Sequence, residues 1–213
     1  METAHPGGSS PRPLPILGGH LALDYANTVD DPLGPARHDH AATYDDLVGW
    51  SLRVGVVDDS RARGLLRLAA PDPENAQACL RRAHELRDIL NELFGAVADG
   101  APDVTGPWTR LRFFAAEARG AAQLTRTADG TYDWAWPQAD DLGVLLHPIA
   151  SAASDLLVSE DLRRLKRCAR CPWLFLDHSR NNSRRWCDMD DCGRAAKIEL
   201  YVARRAARRA RTS

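Results

Sequence analysis

Cys168-Ala169-Arg170-Cys171 and, fifteen residues further on, Cys187-Asp188-Met189-Asp190-Asp191-Cys192-Gly193 are the stretches that decide how this chain is built at its C-terminal end. Two close pairs of cysteines, each closing a short loop, let four thiolates converge on one tetrahedral ion. No histidine stands at ligand spacing, and four soft sulfurs favour zinc, with iron the lesser alternative. Disulfides are the competing reading and fit less well. Cys79 is left over as an odd fifth cysteine, and Met1 to Pro15 is rich in Gly, Ser and Pro without the apolar core of a secretory signal. That stretch, residues 1–15, reads as a disordered leader, and the protein as cytoplasmic.

Working outward, Trp173 to Asp177 reads as a strand and Arg184 to Cys187 as its return, with Asn181-Asn182 at the turn, where Asn tolerates positive φ. Cys192-Gly193 leads into a helix from about Arg194 to Arg211. Knuckle, hairpin and a helix whose start supplies the last ligand make a treble-clef-like or ribbon-like module. So small a unit has little apolar surface, so its folding is expected to depend on the metal.

The charge is unevenly spread. Residues 163–213 hold 15 Lys and Arg against 5 Asp and Glu, whereas residues 1–162 hold 13 against 24, so a net charge of −1 hides a basic end on an acidic body. Projected at about 100° per residue, Arg194, Lys197, Arg204, Arg205, Arg208, Arg209 and Arg211 fall within an arc of roughly 160° on the last helix. Alanines dominate the opposite side, although Ile198 and Tyr201 intrude on the basic arc. With Arg180, Arg184 and Arg185 from the hairpin these groups are candidates to meet phosphates, and double-stranded DNA is the expected partner. A solvated charged face is the bland alternative. The alanine-rich side is too weakly apolar for a membrane-surface helix, and no apolar run is long enough to span a bilayer.

The body, residues 16–160, reads as mainly helical with one β-hairpin. Thr43-x-x-Asp46 resembles a capping box opening a helix, and Asp59 or Ser60 caps a second. The strongest helix runs from Asp72 to about Asp99, with Pro73 at its first position and Ala76, Leu80, Ala83, Leu86, Leu90, Leu93 and Val97 at helical period. Another is expected from Pro107 to about Arg119. Alternating residues around Asp129-Gly130 give the hairpin within 122–136. A further helix spans Asp140 to Val158, kinked or begun at Pro148. Ser159-Glu160-Asp161 caps a short basic helix leading to Cys168. Body and zinc module are expected to have separate cores.

Near the start, Gly18 to Val29 is a short helix or the beginning of a strand. His20, Asp24 and Asn27 lie about one turn apart and can share a face, which makes them a candidate ligand pocket, with capping and loop-fixing as the alternative role. His38 and His40 read as surface residues, Trp108, Trp134 and Trp136 as packing, and Cys79 as a small buried hydrophobe. Phosphate-binding, serine-hydrolase and zinc-protease motifs are absent, so the chain does not read as an enzyme.

Arg167-Cys168-x-x-Cys171-x-Trp173-Leu174-Phe175-x-Asp177, continuing through Ser179-Arg180-Asn181 and Ser183-Arg184-Arg185-Trp186-Cys187 to Cys192-Gly193, resembles the CGNR zinc finger of bacterial proteins. Gly19-His20-Leu21-x-Leu23-Asp24-Tyr25-x-Asn27-Thr28 is similar to the opening of the ABATE domain that precedes it in that family. The resemblance implies a stress-induced transcriptional regulator in which a sensor-like helical domain, open to a small-molecule effector or to homodimer formation, precedes a DNA-binding finger over residues 161–213. This chain reads Cys192-Gly193-Arg194-Ala195 where the family has Asn and Arg after the glycine. Arg194 is placed to supply the missing cation one position early. The alternative is a zinc-stabilised module for binding protein or RNA.

Overall fold

The computed structural model describes residues 14–30, 38–137 and 140–210. The expected leader lies outside them except at 14 and 15, where Leu14 is already buried in the core. Helix α4 (Pro73–Ala98) is the axis of the body. Asp72 caps it by accepting the Asn75 amide at 3.1 Å, and Pro73 occupies the first turn, where its missing N–H is no loss. Its Ala83, Leu86, Leu90, Leu93 and Phe94 are buried.

Around it pack α1 (Leu21–Ala26), α2 (Tyr44–Arg53), α3 (Asp59–Ala69), α5 (Thr105–Ala121) and α6 (Leu146–Val158). The capping box of α2 forms as expected, with Thr43 and Asp46 each satisfying the other's backbone N–H. Helix α3 is capped by Asp58, one residue ahead of the expected position. Pro148 falls in the first turn of α6, so the helix starts there without a kink, after a 3-10 turn at Leu142–Leu145.

Between α5 and α6, β3 (Gln123–Arg126) and β4 (Tyr132–Ala135) form the antiparallel hairpin, Leu124 opposite Trp134 and Gly130 at positive φ in the turn. It stands away from the core. Trp134 and Trp108 are each 41% exposed rather than packed inside, and Trp136 is half-buried with its indole N–H on the Ala118 carbonyl at 2.7 Å.

A second, two-residue ladder pairs β1 (Val29–Asp30) with β2 (His38–Asp39). It carries a deeply buried ion pair. Arg87 of α4 is 0% exposed and donates to both Asp39 carboxylate oxygens, at 2.6 and 2.5 Å, and to the Thr28 hydroxyl at 3.2 Å. His40 contacts Asp30 at 2.9 Å.

Two expectations for the C-terminal end change. Trp173 to Asp177 does contain a strand, β6 (Leu174–Leu176), but its partner is β5 (Leu165–Arg167), not the segment Arg184 to Cys187. Residues 165–167 were expected to end a basic helix. Only a 3-10 turn at Glu160–Arg164 forms before the chain extends. The cysteine knuckle is therefore the turn of a hairpin whose strands both precede the second cysteine pair.

The cores are not separate either. Leu165, Leu174, Phe175 and Leu176 belong to the same buried cluster as Leu23, Leu90 and Leu93, so the module packs onto the body through its own hairpin. A unit too small to bury enough apolar surface by itself completes its core in this way. Helix α7 (Arg194–Ala210) follows the last cysteine and leaves that core.

Candidate metal centre and basic helix

The first knuckle closes where the Cys168 amide donates to the Trp173 carbonyl at 2.8 Å, which brings Cys168 and Cys171 to the tip of the β5–β6 hairpin. The second pair is delivered by a wide helical turn, Met189–Gly193. Asp188 caps it by accepting the Asp190 amide at 2.7 Å, and its carbonyl takes the Gly193 amide at 2.9 Å. An added Cβ at Gly193 would press on the Met189 sulfur at 3.1 Å, so the turn is close-packed there. Cys168, Cys187 and Cys192 are buried and Cys171 is half-buried.

The four cysteine sulfurs all lie within 4.8 Å of one another. Cys171 and Cys187 stand 3.5 Å apart, and Cys187 and Cys192 3.7 Å. A tetrahedral ion with Zn–S bonds of about 2.3 Å requires sulfurs about 3.8 Å apart, so the cluster has the dimensions of a zinc site and its cysteines are unpaired as disulfides.

Electrostatics agree with that fit. Hydrogen bonding from Cys187 holds the Cys171 thiol down at about 6, the same bond together with burial pushes Cys187 far above the ordinary thiol range, and burial with the Cys171 charge pushes Cys192 up to about 12. Four thiols this close cannot all ionise against their mutual repulsion without a cation among them, and a divalent ion removes that obstacle. Bound by Cys168, Cys171, Cys187 and Cys192, zinc would crosslink knuckle to turn. With four protein ligands the set leaves no open position for catalysis.

A second hub holds the loop between the two pairs. Asp177 is 0% exposed and accepts from the Lys166 ammonium at 2.7 Å, the Arg184 amide at 2.7 Å and the Ser179 amide at 2.9 Å. Burial opposes its ionisation, but these donors prevail and keep the carboxyl well below the usual carboxylate range. Lys166 also reaches the carbonyls of Asn182 and Arg184. Asn182 sits at φ 47°, the turn its sequence predicts.

Arg184 was a candidate phosphate or base contact. The structure turns it inward: its guanidinium donates to the Trp186 and Cys187 carbonyls and lies 4.7 Å over the Phe175 ring. Arg180, Arg185, Arg194 and Lys197 are exposed, Arg185 over Trp186 at 5.4 Å. On α7 every residue from 197 to 209 is exposed, Arg204, Arg205, Arg208 and Arg209 included. Arg205 contacts the Tyr201 hydroxyl at 3.3 Å, and Arg170 from the knuckle pairs with Glu199.

His20, Asp24 and Asn27 do come together, on and beside α1, and each is engaged in holding the backbone. His20 caps α1 by accepting the Ala22 amide at 3.4 Å, and Asp24 accepts the Gly18 amide at 2.7 Å. A Cβ at Gly18 would stand 2.8 Å from the Asp24 nitrogen, which is why a side chain does not fit there. Asn27, 3% exposed, donates to the Leu174 carbonyl at 2.8 Å and accepts the Leu174 amide at 2.9 Å. It acts as one more strand edge for β6. Leu176 donates to the Gly18 carbonyl at 2.9 Å, and the Trp173 indole to Asp30 at 2.9 Å.

Sequence reasoning missed this clasp, for no local signal places Leu174 opposite Asn27. It also missed Arg87, although a signal existed. Position 87 lies on the apolar stripe of Leu80, Ala83, Leu90 and Phe94, where a charge requires a buried partner.

The family model for ABATE, described as "putative stress-induced transcription regulator", matches residues 19–160. The CGNR zinc finger model matches residues 164–205. Neither is an enzyme family. No curated protein matches the chain. Among the described residues no helix is long and apolar enough to cross a membrane.

Proposed function

Because the chain belongs to the ABATE family and carries a CGNR zinc finger with one structural zinc site, we propose that it is a cytoplasmic, DNA-binding transcription regulator that responds to stress. In this reading residues 16–160 are a sensing or dimerising body and residues 161–213 the module that meets duplex DNA. The observation that carries it is α7. A helix of 17 residues projects its cations into solvent from a rigid metal knuckle, in the basic end of a chain whose remainder is acidic.

Phosphates are met by Arg204, Arg205, Arg208 and Arg209 along the helix. Base edges are met by Arg185, two residues before Cys187, and by Arg194 and Lys197 at the start of α7, with Arg180 beside them in sequence. Arg184 acts from within, fixing the turn that presents Arg185. The departure at Arg194-Ala195 puts the first cation of the helix at its opening residue, where Arg194 is exposed.

The test is binding to duplex DNA across a salt series. If α7 contacts phosphates, the logarithm of affinity falls linearly with the logarithm of salt, by about 0.9 for each phosphate neutralised. A protein that shows no duplex binding at low salt, or prefers single-stranded RNA, would instead be a zinc-stabilised interaction module.

A further inference from the structure

Leu21, on α1, lines a cavity of about 500 Å³ that lies away from the cysteine cluster. Its apolar wall also includes Val54 and Val57, just past the end of α2, Trp134 and Trp136 of the hairpin, and Pro148 of α6. None of these six side chains is fully buried, and Trp134 is 41% exposed. Half-covered apolar groups gathered around one hollow, at a volume inside the roughly 300–1,000 Å³ of small-molecule sites, are what a ligand pocket looks like before its ligand arrives.

The charges on its wall bound the chemistry of that ligand. They are one of each sign, Asp58 and Arg61. Asp58 accepts the Arg61 amide at 2.7 Å as the cap of α3, and the Arg61 guanidinium reaches the carbonyls of Trp136 and Pro137 at 3.4 and 3.3 Å. The Trp136 indole N–H is engaged by Ala118, and Arg119 lies over the Trp134 ring at 5.4 Å. The lining thus offers two indoles, one of them held through its N–H, aliphatic surface, and one charge of each sign.

We propose that this cavity binds a small, uncharged, planar aromatic molecule, seated against Trp134 and Trp136. The inference goes beyond the regulator reading and does not require it. Where that reading also holds, the cavity is the place at which an effector would touch α1, the helix that grips the zinc module.

The test uses the full-length, zinc-loaded protein without DNA. It is titrated calorimetrically with three probes that share the naphthalene ring, 2-naphthol, 2-naphthoate and 2-naphthyltrimethylammonium. The expected result is one site per chain for 2-naphthol, with the anion and the cation each at least about tenfold weaker. Val57→Trp, which fills the hollow from its rim, and Trp134→Ala, which removes an exposed wall, should each weaken naphthol binding by about tenfold, with zinc content and helical circular dichroism unchanged. Should Val57→Trp fail to fold, Trp134→Ala carries the comparison alone. No naphthol binding at millimolar concentration, variants that bind as the parent does, or a charged probe binding as well as naphthol would each overturn the proposal. So would light scattering that shows a dimer which Val57→Trp dissociates, because the occupant would then be a second copy.

Discussion

Helices α1 and α7 are opposites. The first has six residues, five of them buried; the second has 17, with every residue from 197 to 209 exposed. By intrinsic propensity α7, rich in Ala and Arg, is the better helix, and six residues are too few to be helical alone. Helix α1 exists because its neighbours hold it. His20 caps it, Asp24 ties it to Gly18, Asn27 hands it to Leu174, and Asn91 donates to its last carbonyl at 2.9 Å. Helix α7 rests mainly on its own sequence, with its cations facing solvent. One helix is held by the fold and the other stands out from it.

The sharpest way to break this contrast is to remove the metal. Cys187→Ser, or a strong chelator, should cost the largest stability of any change, since structural zinc contributes on the order of 10 kcal/mol in small fingers. Because β6 belongs to the same core as α1 and α4, the loss should reach the body. Thermal unfolding followed by far-ultraviolet circular dichroism should show one transition at lower temperature. Two separated transitions, with the body melting as before, would restore the picture of independent cores.

Next in size is the ion pair beneath the segment that follows α1. Asp39→Asn leaves the Arg87 charge buried without its partner and should destabilise by about 3 kcal/mol at neutral pH. Burial raises the Asp39 pKa, but the bonds from Arg87 outweigh it and hold the carboxyl below its ordinary value. The folded pKa lies below the unfolded one, so the pair's contribution is full above about pH 4 and is lost as pH falls through the folded value. Urea titrations of parent and variant should therefore converge in acid, and a difference that grows in acid would contradict the assignment.

Asn27→Ala comes third, at about 2 kcal/mol, since it strips partners from two buried backbone groups of Leu174. Amide exchange should quicken at Leu174 and Leu176 ahead of α4. Smallest in stability, within about 0.5 kcal/mol, is the combined replacement of Arg204, Arg205, Arg208 and Arg209 by Ala. The same protein should lose duplex affinity at every sequence, with its salt slope flattened by up to roughly 3.6. A change of several degrees in melting temperature would show that α7 supports the fold after all.

The same contrast explains what could be read in advance. The capping box at Thr43, the long helix from Asp72, the Asp129-Gly130 hairpin and the four cysteines are signals whose partners lie close along the chain. Local periodicity and turn chemistry are enough to find them. The pairing of β5 with β6 was misplaced because three-residue strands carry almost no pattern, and Arg184 to Cys187 had an equal claim to face Trp173 to Asp177. Around His20, Asp24 and Asn27 the capping and loop-fixing role was legible beside the pocket reading, and the distant partner of Asn27 was not. A buried asparagine that completes a distant strand and one that lines a pocket have the same local sequence.

The grip of Asn27 on Leu174 also has a bearing on the order of events during synthesis. Its two ends are 147 positions apart, so at about 5–20 residues per second the ribosome needs roughly seven to thirty seconds between making one and making the other. Through that interval α1 can gain its anchors on α4 and α6, Asn91 among them, but the side it turns to β6 stays uncovered. The last cysteines emerge later still. Metal capture and the locking of the N-terminal segment are then one late step. The nascent protein is most exposed to misfolding just before the step that will both load the ion and close the core.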